Sequence, residues 1–206
     1  MKRNSAFYVK YPQDADRIKH ILHYLGRSGD GNVKLPHGGA LTRRRFQQIG
    51  FHFGMPRGLD YVDNIVLHAS DDIEQTGEIS LSTLRKIQDA LPFSGHDVIH
   101  SMLFEAMYCE GEASNWSAHR TVDGLSEFDL DRKDGPVYLT GEMVFPWMFE
   151  DEPGLHKVKE LAERLASDTD WPALFDEAQL ARNEVQVCSA SNVNDMYVRL
   201  KAETRV

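Results

Sequence analysis

Apolar residues recur along this chain mostly at helical spacing. Ile18, Ile21, Leu22 and Leu25 follow Tyr11-Pro12-Gln13-Asp14 and stop at Gly26 and the Ser28-Gly29-Asp30-Gly31 turn, which predicts an amphipathic helix. Leu35-Pro36-His37-Gly38-Gly39 reads as a turn-rich loop. Thr42 then stands where an N-cap belongs, ahead of a helix carrying Phe46, Ile49 and Phe53 and ending near Gly54-Met55-Pro56. Helices are predicted over 59–69 and 80–91, separated by an acidic loop around Asp71, Asp72 and Glu74. A further one is predicted from Asp97 to Glu110, with Ile99, Leu103 and Met107 on one stripe and Phe104 beside it.

The second half is less regular. Asn115 to Arg120 predicts a short turn of helix, and Thr121 to Pro136 is polar enough to be an exposed loop. Val137 to Glu142 leads into an aromatic segment, Met143 to Phe149. Leu155, Val158, Leu161, Ala162 and Leu165 predict an amphipathic helix to Ser167, and Asp170-Trp171-Pro172 the start of another. Val185-Gln186-Val187-Cys188-Ser189-Ala190 reads as a buried strand. One strand cannot pair with itself, so an exposed apolar edge is expected around 185–198. The expected fold class is mainly α.

Composition adds exclusions. The 206 residues are 41% hydrophobic and 27% charged, with no apolar run near the roughly 20 residues that span a bilayer. The opening Met-Lys-Arg-Asn-Ser-Ala-Phe-Tyr lacks the apolar stretch of a secretory signal, and two cysteines, Cys109 and Cys188, fit a reducing compartment. A cytoplasmic location without membrane contact is the expectation. The net charge of −9 is uneven: residues 1–57 hold 11 Lys+Arg against 3 Asp+Glu (+8), and the remainder 12 against 29 (−17). Arg43-Arg44-Arg45 begins a helix with an apolar stripe behind it, so it reads as a charged face paired with the acidic remainder and not as a nucleic-acid surface.

Complete catalytic sets are missing from the pattern. His96 and His100 share a helix face at i, i+4, as in a zinc-protease helix, but no third ligand stands at an obvious spacing. Two partly exposed histidines are the plainer reading, with a metal-dependent enzyme as an alternative; no metal and no cofactor are expected. No serine sits in a Gly-x-Ser-x-Gly elbow. Two carboxylates stand in apolar settings: Glu105 among Met102, Leu103, Phe104, Met107 and Tyr108, and Glu142 between Thr140-Gly141 and Met143-Val144-Phe145-Pro146-Trp147. Buried, each needs a cationic partner; the alternatives are a solvent-facing Glu105 and a helix-capping Glu142.

Several blocks in order resemble the prolyl aminopeptidases (proline iminopeptidases) of the α/β-hydrolase superfamily. They are Tyr11-Pro12-Gln13-Asp14, Leu35-Pro36, Gly39 to Phe46, Phe104 to Gly111, Asn115 to Arg120, Thr140 to Trp147, Asp170 to Asp176 and Asn194 to Val198. The resemblance implies a parallel-sheet core with an inserted helical lid and a Ser-Asp-His triad, releasing N-terminal proline from peptides. It makes residues 1–180 the lid and 181–206 a core strand with the acid loop, hence one or two leftover core strands. It makes Asp195 the triad acid, Glu105 and Glu142 the ligands of the substrate α-amine, and Phe104, Tyr108 and Trp147 the lining of the prolyl pocket, though core packing serves equally for these three rings.

The chain departs from that pattern at Ser189 to Asn194 and at Arg199. The nucleophile and the catalytic histidine of such an enzyme have no counterpart in residues 1–206. A triad reduced to its acid has neither nucleophile nor base, so the chain is expected to be inactive alone. A non-enzymatic helical interaction module derived from the lid is the competing expectation.

Overall fold

A computed structural model describes residues 1–29, 31–93, 97–188, 190 and 195–197. It is mainly helical. α1 (Lys2–Lys10) and α2 (Asp14–Arg27) precede a turn closed by the antiparallel bridge Lys34–Ala40. Thr42 accepts from the Arg45 amide at 3.1 Å and starts α3 (Arg43–Gln47), which tightens into a 3₁₀ stretch over Gln48–Gly54. The long α4 (Gly58–Thr76) lies along α2, so that Ile18, Ile21, Leu22 and Leu25 meet Val62, Ile65, Val66, Ala69 and Ile73 in one buried cluster. Each buried Val, Leu or Ile among them contributes about 1.5–3 kcal/mol by leaving water. α5 (Leu81–Ala90), capped by Ser80, closes this half.

A second cluster gathers Phe93, Val144, Phe145, Met148, Phe149, Leu155 and Ala162. Around it sit α6 (Val98–Leu103), α7 (Ser117–Asp123), α8 (Met148–Asp151), a 3₁₀ turn over Pro153–Val158 and α9 (Lys159–Ser167). A short α10 (Glu177–Leu180) lies beyond. Among the described residues no helix is long and apolar enough to cross a membrane.

Several expectations need correction. Asp71, Asp72 and Glu74 lie inside α4, because Ile73 continues its buried stripe and the first residue able to end it is Gly77, at φ 81°. The helix expected over 97–110 covers only Val98–Leu103, and Ile99, Leu103 and Met107 face solvent instead of a core. In α9 the buried residues are Ala162 and Ala166, while Leu161 is exposed. Trp171 and Pro172 start no helix, and α1 was not foreseen. No strand forms among the described residues of 185–190. Val185 and Val187 are exposed, since no neighbouring strand is there to take up the backbone hydrogen bonds. Ser189 lies outside the described residues, as does His96.

The Arg triplet is paired with acids as expected, but it is not all surface. Arg43 meets Asp131 at 2.7 Å, and Arg44 forks onto both oxygens of Asp151 at 2.9 Å. Arg45 is buried, donating to Gln48 Oε1 (2.6 Å), the Pro92 carbonyl (3.0 Å) and Glu152 (3.5 Å). Glu152, itself buried, also meets His37 Nε2 at 2.9 Å. This network ties the helical first half to the start of the Pro153–Val158 turn.

An acid-lined cavity as candidate functional site

The segment leading to Glu142 is held from both sides. Asn4 uses its amide as a strand would: Nδ2 donates to the Leu139 carbonyl at 2.9 Å and Oδ1 accepts from the Leu139 amide at 2.8 Å. On the other side the Thr140 amide donates to the Gln47 carbonyl at 3.0 Å, and Gln47 Nε2 donates to the carbonyls of Tyr138 and Phe128. Val137 and Leu139 fill the first cluster. Gly50 lets this strip lie close, since a Cβ there would stand 2.5 Å from the Thr140 carbonyl oxygen. Glu142 follows directly, half-buried, and among the described residues no donor reaches its carboxylate.

Glu105 arrives from the other side of the cavity. The chain leaves α6 through a turn over Phe104–Tyr108, and α7 is aimed back at it by two left-handed residues, Asn115 (φ 46°) and Trp116 (φ 57°). Such conformations are unfavourable for residues with a side chain. They are held by the Asn115 amide on the Ala166 carbonyl (2.8 Å), by the Trp116 ring against Phe149, and by Arg120, which bonds the Ser114 and Asn115 carbonyls. The result places the Ser117 amide 3.0 Å from Glu105 Oε2.

Between these two supports lies a cavity of about 730 Å³ whose wall includes Phe104, Glu105, Tyr108, Ser117, Glu142 and Met143. Glu110 and Glu112 add further carboxylates, and Arg120 is spent on backbone carbonyls. Cys109 also lines it; burial and the nearby Glu105 charge push its thiol up, so it is a weak nucleophile. An apolar wall with several acids suits a cation whose remaining surface is apolar.

Four of the residues singled out in the sequence thus share one cavity: Phe104, Glu105, Tyr108 and Glu142. Trp147 is elsewhere. It stacks on Phe145 at 5.0 Å, and the Arg44 guanidinium lies 4.9 Å over its ring. Asp195 is exposed, and its Oδ1 accepts from the Tyr197 amide at 2.7 Å. Tyr197 donates to the Phe51 carbonyl at 2.8 Å, and Met196 lies against Gly141, the residue before Glu142. Burial, with the charges of Glu142 and Asp195, raises the Tyr197 phenol. His100 packs between Phe93 and Phe104, and among the described residues no three His, Cys, Asp or Glu side chains gather as a metal site. Asn115, Trp116 and Ser117 belong to a short predicted helix and to one of the blocks that resemble the family, but no site role was expected of them.

Comparison with known proteins finds two proline iminopeptidases that this chain is similar to. The proline iminopeptidase aneH of Aspergillus aculeatus is 40% identical over 197 residues, covering 96% of this chain and 43% of its own length. A proline iminopeptidase of Aeromonas sobria is 35% identical over 198 residues, covering 95% and 44%. The chain is therefore homologous to the proline iminopeptidases along nearly all of its length, and spans less than half the length of these two relatives. No protein-family model matches it.

Proposed function

We propose that residues 1–180 are the helical lid of a serine-type prolyl aminopeptidase of the α/β-hydrolase superfamily, and that 181–206 contribute a core strand and the triad acid, Asp195. The substrate is a peptide with N-terminal proline, and the setting is cytoplasmic. Glu105 and Glu142 receive the α-ammonium through charge-assisted hydrogen bonds. Phe104 and Tyr108 pack on the pyrrolidine ring. Trp147, set against Arg44 and Phe145, braces the segment after Glu142 and does not touch the substrate. Asp195 orients the catalytic histidine and stabilises its imidazolium in the assembled enzyme.

The observation that carries this reading is the shared cavity: two segments far apart in sequence bring two carboxylates and two rings to one wall, and one of those carboxylates has no donor among the described residues. The homology supports the same substrate class. No Gly-x-Ser-x-Gly elbow occurs in the 206 residues, so hydrolysis needs a nucleophile and base from outside them. Purified residues 1–206 are expected to leave proline p-nitroanilide intact while binding L-prolinamide. Turnover by this chain alone would overturn the division of labour.

A further inference from the structure

The basic first quarter of the chain is not consumed by the cavity just described. Lys19, His23 and Arg27 stand at i, i+4 and i+8, so they share one face of α2. Together with Arg43 and Arg132 they line a groove of about 540 Å³ between α2 and the segment 130–132. Among the described residues Asp131 is the acid on its wall, and it is engaged by Arg43 at 2.7 Å. Lys19 donates to the Lys133 carbonyl (3.2 Å) and Arg132 Nε to the Asp134 carbonyl (2.7 Å), so neither meets a neutralising charge there. One terminal nitrogen of Arg132 is buried without any acceptor. Among the described residues, His23 and Arg27 make no hydrogen bond or ion pair.

A chain with a net charge of −9 has acids to spare, yet these cations converge on one concavity. Like charges gathered this closely repel, and a buried guanidinium N–H without an acceptor is costly. A multiply charged oxyanion in the groove offsets the repulsion. A guanidinium group matches phosphoryl oxygens in geometry as well as charge, and Arg27 and Arg132 both line this groove. The volume exceeds what one phosphate needs and suits a small molecule.

We propose that this groove is a binding site for a small molecule bearing a diphosphate, with Arg27, Arg132 and Lys19 as the main ligands. The site is independent of the peptidase reading, lying on the α2 side of the molecule with none of its lining residues shared with the acidic cavity.

The test is calorimetric titration of the 206-residue chain with inorganic pyrophosphate at low ionic strength. Saturable one-site binding that weakens with added salt is expected. Arg27→Ala, at an exposed position, lowers the affinity about tenfold or more, the order expected for one lost charge-assisted hydrogen bond. Arg132→Ala does the same, and Arg164→Ala, on the exposed face of α9, leaves binding unchanged. ADP binding as tightly as pyrophosphate supports recognition of the diphosphate alone; tighter binding of ADP supports a nucleotide as its source. Absence of saturable binding, sulfate matching pyrophosphate, or Arg27→Ala binding like the unaltered chain overturns the proposal.

Discussion

The Ser117 amide donates to Glu105 Oε2 at 3.0 Å, so a carboxylate proposed to bind substrate also caps the helix that faces it. Capping by a side-chain oxygen satisfies one of the free amides of a first helical turn. The same contact fixes the Glu105 carboxylate toward the cavity. Glu105→Ala is expected to lower stability by about 1 kcal/mol, whereas Glu105→Gln, which keeps an acceptor, costs only a fraction of that. Chemical denaturation of the two variants measures the difference; equal losses would show that the capping contact does not stabilise α7.

Arg45 and Glu152 form a deeply buried ion pair, 3.5 Å apart with both side chains nearly inaccessible. Burial lowers the Arg45 guanidinium, and the Glu152 and Asp151 charges oppose that effect. Removing one partner leaves a buried charge uncompensated, and Glu152→Leu should cost about 3–5 kcal/mol. Replacing both by apolar residues, as in Arg45→Met with Glu152→Leu, should recover most of the loss. A double-mutant cycle by thermal unfolding checks this, and additive losses would contradict it.

Asp14 supplies a pH signature. Burial pushes its carboxyl from 3.8 up to about 6; Arg17, bonded at 2.9 Å, opposes the shift and the Asp63 charge adds to it. Because the folded value lies above the unfolded one, protonation favours folding. That contribution is complete below pH about 4 and is lost as pH rises through about 6, an effect of up to roughly 3 kcal/mol. Asp14→Asn should therefore flatten the fall in stability between pH 4 and 7. Parallel pH curves for the two proteins would exclude Asp14 as its source.

The support of Glu142 can be probed without touching the cavity. A Cβ at Gly50 would stand 2.5 Å from the Thr140 carbonyl oxygen and 2.6 Å from Leu139 Cβ, contacts that backbone cannot yield to cheaply. Gly50→Ala is expected to cost about 1–3 kcal/mol as overpacking and to weaken amine binding as well, by shifting the Leu139–Glu142 strip. A stability loss with unchanged binding would separate the two.

How far the sequence disclosed all this depends on how local the cause is. The α2 stripe and the Thr42 and Ser80 caps are written in neighbouring residues, and Gly77 ends α4 by its left-handed φ; of these, the α2 stripe and the Thr42 cap are identified from the sequence. Asp71 to Glu74 misled because acidic residues on the solvent face of a helix look like a loop when Ile73 is overlooked. The apolar stripe Ile99, Leu103 and Met107 fits a helix, yet here it faces solvent, which periodicity cannot reveal. The strand expected at 185–190 depends on partners that none of the described residues supply. For the site, Glu105 and Glu142 stand out by their apolar neighbours and the family resemblance adds their role and that of Phe104 and Tyr108, but that the four line one cavity depends on long-range contacts such as Asn4 with Leu139. Ser117 lies in a resembling block, but its contact with Glu105 depends on the left-handed corner before it, which the sequence pattern does not announce.

The central claim is that the cavity recognises a prolyl ammonium through its carboxylates, and the most direct measurement is a titration of residues 1–206 with L-prolinamide against N-acetyl-L-prolinamide. Acetylation removes the charge and keeps the ring. The account predicts saturable binding of L-prolinamide, at least about tenfold weaker for the acetylated compound and weakened similarly by Glu142→Gln, in line with the loss of a charge-assisted hydrogen bond. Equal affinity for the two compounds, or full affinity in Glu142→Gln, would contradict it.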